Sequence, residues 1–168
     1  RVQTDCSVTA AAASVAAPGA LARPLAAGPC TPGAWPPAQP APRTTLMLRN
    51  IPNNYTRTLF LNLLEKKGLK GVYDFVYLPV DFKTGAALGY AFVNIVDTRK
   101  VQKLWTALDG FSRWAVPSKK RCSVHWSEPF QGLKGIVERY RNSSVMHPSV
   151  PDSHKPVVFV AGGGGPFP

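Results

Sequence analysis

Apolar side chains alternate with polar or aromatic ones in four short stretches of the chain. In the first stretch, Leu46 and Leu48 fall on one face of an extended segment, and Met47 and Arg49 fall on the other. Similar stretches cover residues 71–82, 89–95 and 121–126. The alternation predicts four β-strands, each with one face turned towards a core.

Helical spacing of apolar residues fills the intervals between these strands. Thr56 is a good N-cap and Gly68 a good terminator for one helix, and Asp97 and Gly110 fit the same roles in a second. The two apolar stripes are Leu59, Phe60, Leu63 and Leu64, then Val101, Leu104, Trp105 and Leu108. This order predicts a ferredoxin-like α+β fold: a four-stranded antiparallel sheet with both helices on one face and the other face open.

The segment after the fourth strand predicts a third helix, because Leu133, Ile136, Val137 and Tyr140 recur at helical spacing. The ends of the chain are instead dominated by Ala, Pro, Gly and small polar residues. We therefore expect a disordered Ala/Pro-rich linker at 1–42, a folded domain with a helical extension at 43–146, and a mostly disordered tail at 147–168. Within that tail, Val157–Val160 is a candidate for a short extended piece.

Positive charge is concentrated in the predicted domain. The net charge is +11, and residues 43–142 hold 17 Lys and Arg against 7 Asp and Glu. A small basic domain usually meets nucleic acid or an anionic membrane, although a merely soluble basic protein has the same composition. No apolar run reaches the ~20 residues of a membrane span, so we expect no membrane insertion. Because the chain starts at Arg1 and ends in Pro-Phe-Pro, we also expect a fragment of something longer.

Cysteine and histidine are too scattered to predict a disulfide framework, a metal site or catalysis. Cys6, Cys30 and Cys122 are odd in number and far apart, which favours a reducing compartment, the nucleus and/or the cytoplasm. Cys122 and His125 would point to opposite faces of a strand. The histidines and carboxylates do not cluster as catalysis requires. We expect no metal, no cofactor and no enzymatic activity.

The third strand carries the most informative motif, Leu88-Gly89-Tyr90-Ala91-Phe92-Val93-Asn94-Ile95. Alternation places Tyr90, Phe92 and Asn94 on the open face and the small residues Gly89 and Ala91 beneath the helices. Exposed aromatic rings on a sheet are costly unless something covers them. Unpaired bases can do so by stacking, at ~1–3 kcal/mol each. The motif therefore predicts binding to a single-stranded nucleic acid, and stacking alone does not distinguish RNA from DNA.

This octamer and the Asp81-x-x-Thr84-Gly85 turn before it resemble the RNA recognition motif. The hexamer Leu46–Ile51 on the first strand resembles the second short motif of that family. Two positions depart from the usual pattern: Met47 stands where the hexamer usually has an aromatic residue, and Leu88 stands where the octamer usually has Lys or Arg.

A closer resemblance extends beyond these motifs. The residues that carry it are Leu48–Thr56, Tyr73–Phe82, Phe111, Trp114, Ser118-Lys119-Lys120, Phe130-Gln131-Gly132 and Arg141–Met146. They are similar to the C-terminal RNA recognition motif of the Mei-two-like proteins. The resemblance implies a diverged RNA-binding domain within a longer post-transcriptional or meiotic and developmental regulator.

Alternation and motif position together select a set of RNA-contacting residues. Tyr90 and Phe92 are expected to stack on bases, with Met47, Tyr77 and Phe75 extending the platform; Arg49, Asn94 and His125 offer hydrogen bonds; Lys83, Lys119, Lys120 and Arg121 hold phosphates. For Phe75 and Tyr77, ordinary sheet packing is an equally good explanation. A solvated loop explains the basic residues equally well.

A protein-binding version of the same fold is the main alternative, with the helix at 133–141 covering the sheet face or docking a partner. Those versions tend to have an acidic first helix and an Arg-x-Phe string. Here the first helix ends in Glu65-Lys66-Lys67, and Arg113-Trp114-Ala115 lacks the Phe. We therefore favour a monomeric domain whose partner is single-stranded RNA.

Overall fold

The computed structural model describes residues 42–160, 163–165 and 167–168. The strands and helices of this part are β1 (Thr45–Arg49), α1 (Arg57–Lys66), β2 (Tyr73–Tyr77), β3 (Tyr90–Ile95), α2 (Val101–Leu108), β4 (Ser123–Trp126), α3 (Gly132–Arg141), β5 (Val157–Val160) and β6 (Gly163–Gly165). The predicted α+β order through α3 is confirmed. The linker predicted for residues 1–42 lies outside the described residues, apart from Pro42.

All strand pairs are antiparallel, and the six strands form one sheet in the order β4-β1-β3-β2-β5-β6. The central β4-β1-β3-β2 order arises because two βαβ-like halves interleave, with β1 and β3 side by side in the middle.

None of the helices in the described ranges combines the length and the apolar character needed to cross a membrane.

Local sequence signals explain where the helices begin and end. The Thr56 side chain caps α1 by accepting a hydrogen bond from the backbone N–H of Leu59 at 3.2 Å. Gly68, with φ of +68°, then turns the chain away from the helix. Asp97 caps a short 3-10 turn, Thr98–Lys100, that leads into α2, so it acts one turn earlier than the pattern predicts.

The main core lies between the sheet and the α1–α2 layer. It contains the inward residues of all four central strands, among them Leu46, Leu48, Val76, Ala91, Val93 and Val124, packed against Phe60, Leu64, Leu104 and Leu108. These are the apolar positions that the two periodicities select. The strand 71–82 is shorter than predicted and ends at Tyr77, two residues before Pro79, which has no N–H to donate.

A second apolar cluster lies on the opposite face of the sheet and joins α3 to β2. Ile136, Val137 and Tyr140 of α3 are buried there against Phe75 and Tyr77. The apolar stripe of the third helix is therefore used inside the chain. A partner docking on the helix at 133–141 would meet its charged outer face instead, because Lys134 and Glu138 are exposed.

The sheet also continues past the predicted four strands. Val158 of β5 lies opposite Phe75 of β2 and is buried, and β6 pairs with β5. The pattern predicts a mostly disordered tail at 147–168, with Val157–Val160 only as a candidate extended piece; the structure has an ordered strand there. The physical reason is that β2 would otherwise present an unpaired edge, which β5 covers.

Candidate nucleic-acid interface

Strand register assembles a platform on the face opposite α1 and α2. Met47 lies directly opposite Phe92, and Arg49 directly opposite Tyr90, in the β1–β3 pair. On the other side of β1, Met47 lies opposite His125 of β4. Because directly paired residues in an antiparallel sheet share a face, these five side chains point the same way, as alternation predicts.

Helix α3 covers the β2 half of this face. The Tyr140 ring centre lies 4.8 Å from that of Tyr77, 6.2 Å from that of Phe75 and 6.3 Å from that of Phe92. Phe75 is 0% exposed and Tyr77 7% exposed. Burial raises the pKa of both the Tyr77 and the Tyr140 phenols. Phe75 and Tyr77 thus occupy the predicted face, but that face is not open above them, which corrects the expectation that they contact bases.

Asn94 is likewise unavailable to a ligand. It is 3% exposed, and its Oδ1 accepts hydrogen bonds from the hydroxyls of Thr44 and Thr45 at 2.8 and 2.7 Å. Its Nδ2 donates to Oδ1 of Asp74 at 2.7 Å. The expectation that Asn94 reads a base is therefore corrected: its amide is committed to holding β1, β2 and β3 together, and alternation cannot reveal such a commitment.

The β1–β4 half of the face remains accessible as a shallow groove of about 690 Å³. Its lining consists of Met47, Arg49, Asn50, Leu88, Gly89, Tyr90, Lys120, Ser123 and His125. We call this surface the open groove. The Tyr90 ring of this lining meets the Phe92 ring edge to face, with ring centres 5.7 Å apart. Phe92 itself is half-buried, because Tyr140 lies on its other side.

Four groove residues are absent from the set chosen on sequence: Asn50, Leu88, Gly89 and Ser123. Ser123 was identifiable, because it lies two residues before His125 and so shares its face. Asn50 has φ of +64°, a left-handed conformation that Asn tolerates better than most residues. Its Nδ2 donates to the Arg121 carbonyl at 2.9 Å, which ties the end of β1 to the segment entering β4.

The four basic residues chosen on sequence do not all lie in one place. Lys120 lines the groove, where its Nζ donates to Oδ1 of Asn53 at 2.6 Å and to the Ile51 carbonyl at 3.2 Å. Lys83, Lys119 and Arg121 are exposed and lie outside the groove lining. Of these four residues, only Lys120 therefore lines the open groove. Arg121, two residues before β4, is linked to the groove through its carbonyl, which accepts the hydrogen bond from Asn50.

Among the described residues, no group of three or more His, Cys, Asp or Glu side chains is placed to hold a metal ion. Cys122 is buried, and burial raises its thiol pKa to about 12, with nearby Asp109 adding to the shift. His125 is exposed, with Nε2 3.2 Å from the Ser123 hydroxyl. The groove is lined by basic, polar, aromatic and apolar residues.

A βαββαβ sheet with two aromatic residues of the octamer side by side on β3 defines an RNA recognition motif. The family model described as RNA recognition motif 2 matches residues 43–141. The chain belongs to this family and is a Mei2-like RNA recognition motif, an RNA-binding domain.

Two curated relatives illustrate the match. Protein MEI2-like 3 of Arabidopsis thaliana is 39% identical over 118 residues, which are 70% of this chain and 15% of that protein. The meiosis protein mei2 of Schizosaccharomyces pombe is 34% identical over 122 residues, or 72% of this chain and 16% of that protein. The chain thus spans about one-sixth of the length of these relatives.

Solved structures of the same kind are also similar. The Rna15 RRM with bound RNA has a TM-score of 0.46 and 20% identity, covering 60% of this chain and 99% of that one. The chain described as an Sxl-lethal protein/RNA complex has a TM-score of 0.42 and 25% identity, covering 52% of this chain and 48% of that one.

Proposed function

We propose that this domain binds single-stranded RNA in the open groove, with Tyr90 as the principal stacking residue. The observation that carries the proposal is the half-exposed Tyr90 ring, which lines the groove beside Met47 and Arg49 on the part of the face that α3 does not cover. An exposed ring on a sheet offers a base a flat apolar surface, and single strands present unstacked bases to it.

Each part of the groove has a distinct role in this proposal. Tyr90 and the accessible part of Phe92 stack on bases, and Met47, opposite Phe92 on β1, extends the platform with a flexible apolar side chain. Arg49 and His125 donate hydrogen bonds to base edges or sugar hydroxyls. Lys83, Lys119, Lys120 and Arg121 attract phosphates. Because the Phe75–Tyr77 half is covered, the footprint is shorter than a fully open sheet would give, about two bases instead of three.

The alternative is a protein-interaction module whose sheet face is occluded by the C-terminal helix. The contacts of Tyr140 favour it for the β2 half of the face. They do not extend over Met47, Arg49 and His125, so we favour RNA for the remaining half. We also propose that the domain works within a longer post-transcriptional or meiotic and developmental regulator, as the family resemblance suggests.

Fluorescence anisotropy of the whole chain with a labelled pool of mixed 10-nucleotide single-stranded RNA tests the proposal. Tyr90→Ala is expected to weaken binding by about 1–3 kcal/mol, because one stacked base loses its platform. Tyr90→Phe keeps the ring and is expected to bind nearly as the parent does. Val96→Ala, at a residue that is 62% exposed just after β3, is the control for a general loss of apolar surface.

Two further arms separate the alternatives. Duplex RNA of the same composition is expected to bind more weakly, because its bases are not available for stacking. Single-stranded DNA of the same sequence measures how much the 2′-hydroxyl contributes. If the parent chain binds no RNA, the protein-interaction alternative takes the place of the proposal. If the parent binds RNA and Tyr90→Ala binds as tightly as Tyr90→Phe, Tyr90 is not the stacking residue and the platform is overturned.

A further inference from the structure

One arginine of α3, Arg139, is held against two aromatic rings. The Arg139 guanidinium carbon lies over the Phe130 ring, 4.7 Å from its centre, and 5.5 Å from the centre of the Tyr140 ring. Arg139 is nevertheless exposed, and none of the ion pairs among the described residues includes it. Its positive charge is therefore fixed in place by two aromatic rings without being neutralised by a carboxylate.

Tyr140 lies next to the proposed RNA site, and Phe130 is joined to it through the chain. Tyr140 packs against Phe92 of the platform, and its phenol lies close enough to Tyr90 for that residue to add to the burial that raises the Tyr140 pKa. Phe130 directly precedes Gln131, whose side chain bonds to Thr45. Thr45 is two residues from Met47 and shares its face.

We propose that Arg139, stacked on Phe130, is a further RNA-contacting residue that forms a wall of the open groove on the α3 side. This inference rests on the proposed function, since it extends the same site from β1 and β3 on to α3. The planar guanidinium uses one face for the Phe130 ring, while its exposed N–H groups, which pair with no carboxylate among the described residues, can donate two parallel hydrogen bonds to a ligand. Two adjacent acceptors fit that edge, and in RNA they occur on a phosphate or on the O6/N7 edge of guanine.

A purely structural role for Arg139 is the competing explanation. Basic residues in the last turn of a helix interact favourably with its C-terminal carbonyls, and Arg141 is placed to do this as well. Residues two apart on a helix do not share a face. Arg141 therefore carries the same charge on the same turn without the stacking on Phe130, which makes it a matched control.

Anisotropy titrations of the whole chain with labelled single-stranded RNA test the inference. Arg139→Ala is expected to raise Kd about tenfold, and Arg141→Ala less than about twofold. Arg139→Lys keeps the charge but loses the planar fork, so it is expected to remain weakened by about fivefold. Phe130→Leu, which removes the ring beneath the guanidinium, is expected to weaken binding by a similar amount. Circular dichroism melting curves confirm that each variant is folded.

Two RNA probes identify the acceptor. If Arg139→Ala weakens binding to oligo-U and to the same strand with one guanosine equally, the partner is a phosphate. If only the guanosine-containing strand loses affinity, the partner is guanine.

The outcomes also distinguish this inference from the proposed function. Equal effects of Arg139→Ala and Arg141→Ala, or no effect of either while Tyr90→Ala weakens binding, overturn the role of Arg139 and leave the platform intact. Loss of binding with Arg139→Ala but not with Tyr90→Ala overturns the stacking platform and keeps the α3 wall. Absence of RNA binding by the parent chain overturns both.

Discussion

The Gln131 side chain pairs with the backbone of Thr45 as a neighbouring strand residue would. Its Oε1 accepts from the Thr45 N–H at 2.9 Å, and its Nε2 donates to the Thr45 carbonyl at 2.9 Å. The same Oε1 accepts from the Thr44 N–H at 3.0 Å, and the next residue, Gly132, donates its N–H to the Thr45 hydroxyl at 2.9 Å. This junction fixes where α3 begins, and therefore which half of the sheet face α3 covers.

Replacing Gln131 should destabilise the domain. Gln131→Ala leaves two backbone N–H groups beside the fully buried Thr45 without an acceptor, at about 1–3 kcal/mol each. We expect the free energy of unfolding in urea, followed by circular dichroism, to fall by about 2–4 kcal/mol. Gln102→Ala is the matched control, because that glutamine is exposed on α2 and bonds only to the Thr106 hydroxyl among the described residues. A change of less than about 0.5 kcal/mol in both variants would show that the junction is dispensable.

Sequence alone predicts the central fold because its determinants are local. The period-2 alternation of β1 and β3 and the caps at Thr56 and Gly68 act over a few residues, and the structure follows them. The octamer likewise places Tyr90 and Phe92 on the correct face. These features depend on backbone geometry that neighbouring residues determine.

What covers that face cannot be predicted in the same way. The pattern predicts α3, and the possibility that it covers the sheet, but not which half it would lie on. The position of α3 depends on two long-range contacts: the hydrogen bond between Gln131 and Thr45, which lie 86 positions apart in sequence, and the packing of the Tyr140 ring on the Tyr77 ring. Asn94 illustrates the same limit, since a polar residue on a predicted open face was equally compatible with base recognition and with a buried network.

The strand β5 should contribute to the stability of the domain. Val158 is 7% exposed and Val160 is 66% exposed, although both lie in the same short strand. Val158→Ala removes buried apolar surface beside Phe75, so we expect the free energy of unfolding to fall by about 1–2.5 kcal/mol. Val160→Ala should change it by less than about 0.5 kcal/mol. Equal small effects in urea unfolding would mean that residues 157–160 do not form part of the folded unit.

Asp74 should make the domain less stable as the pH rises. Burial raises the pKa of its carboxyl group, and the hydrogen bond from Asn94 opposes this only in part. The folded state therefore holds the proton more tightly than the unfolded state, where the pKa is about 3.9. Stability is lost as the pH rises from that value through the raised folded-state pKa. Asp74→Asn stays neutral and keeps an oxygen acceptor for Asn94, so its stability relative to the parent should increase between pH 4 and pH 7.

Asp81 provides a control of opposite sign for the same measurement. Hydrogen bonds from the backbone N–H groups of Thr84 and Lys83 lower the pKa of its carboxyl group. The stability that this carboxylate contributes is present above the unfolded-state pKa and is lost as the pH falls through the lowered folded-state value. Asp81→Asn should therefore lose stability relative to the parent as the pH rises. Parallel pH profiles for the Asp74 and Asp81 variants would contradict the burial explanation.

The salt dependence of RNA binding should reveal which basic residues contact phosphates. Each phosphate neutralised on a single strand contributes about 0.7 to the slope of log K against log salt concentration. Replacing Lys83, Lys119 and Arg121 by Ala together should lower the magnitude of this slope by about 2. Replacing Lys66, Lys70 and Lys100 by Ala removes the same charge from the α1–α2 side, where all three are exposed. The second triple variant should lower affinity slightly at low salt and leave the slope nearly unchanged, because distant charges are screened over about 10 Å at 0.1 M salt. If both triple variants change the slope equally, RNA is attracted by the net charge of the domain and not by Lys83, Lys119 and Arg121 in particular.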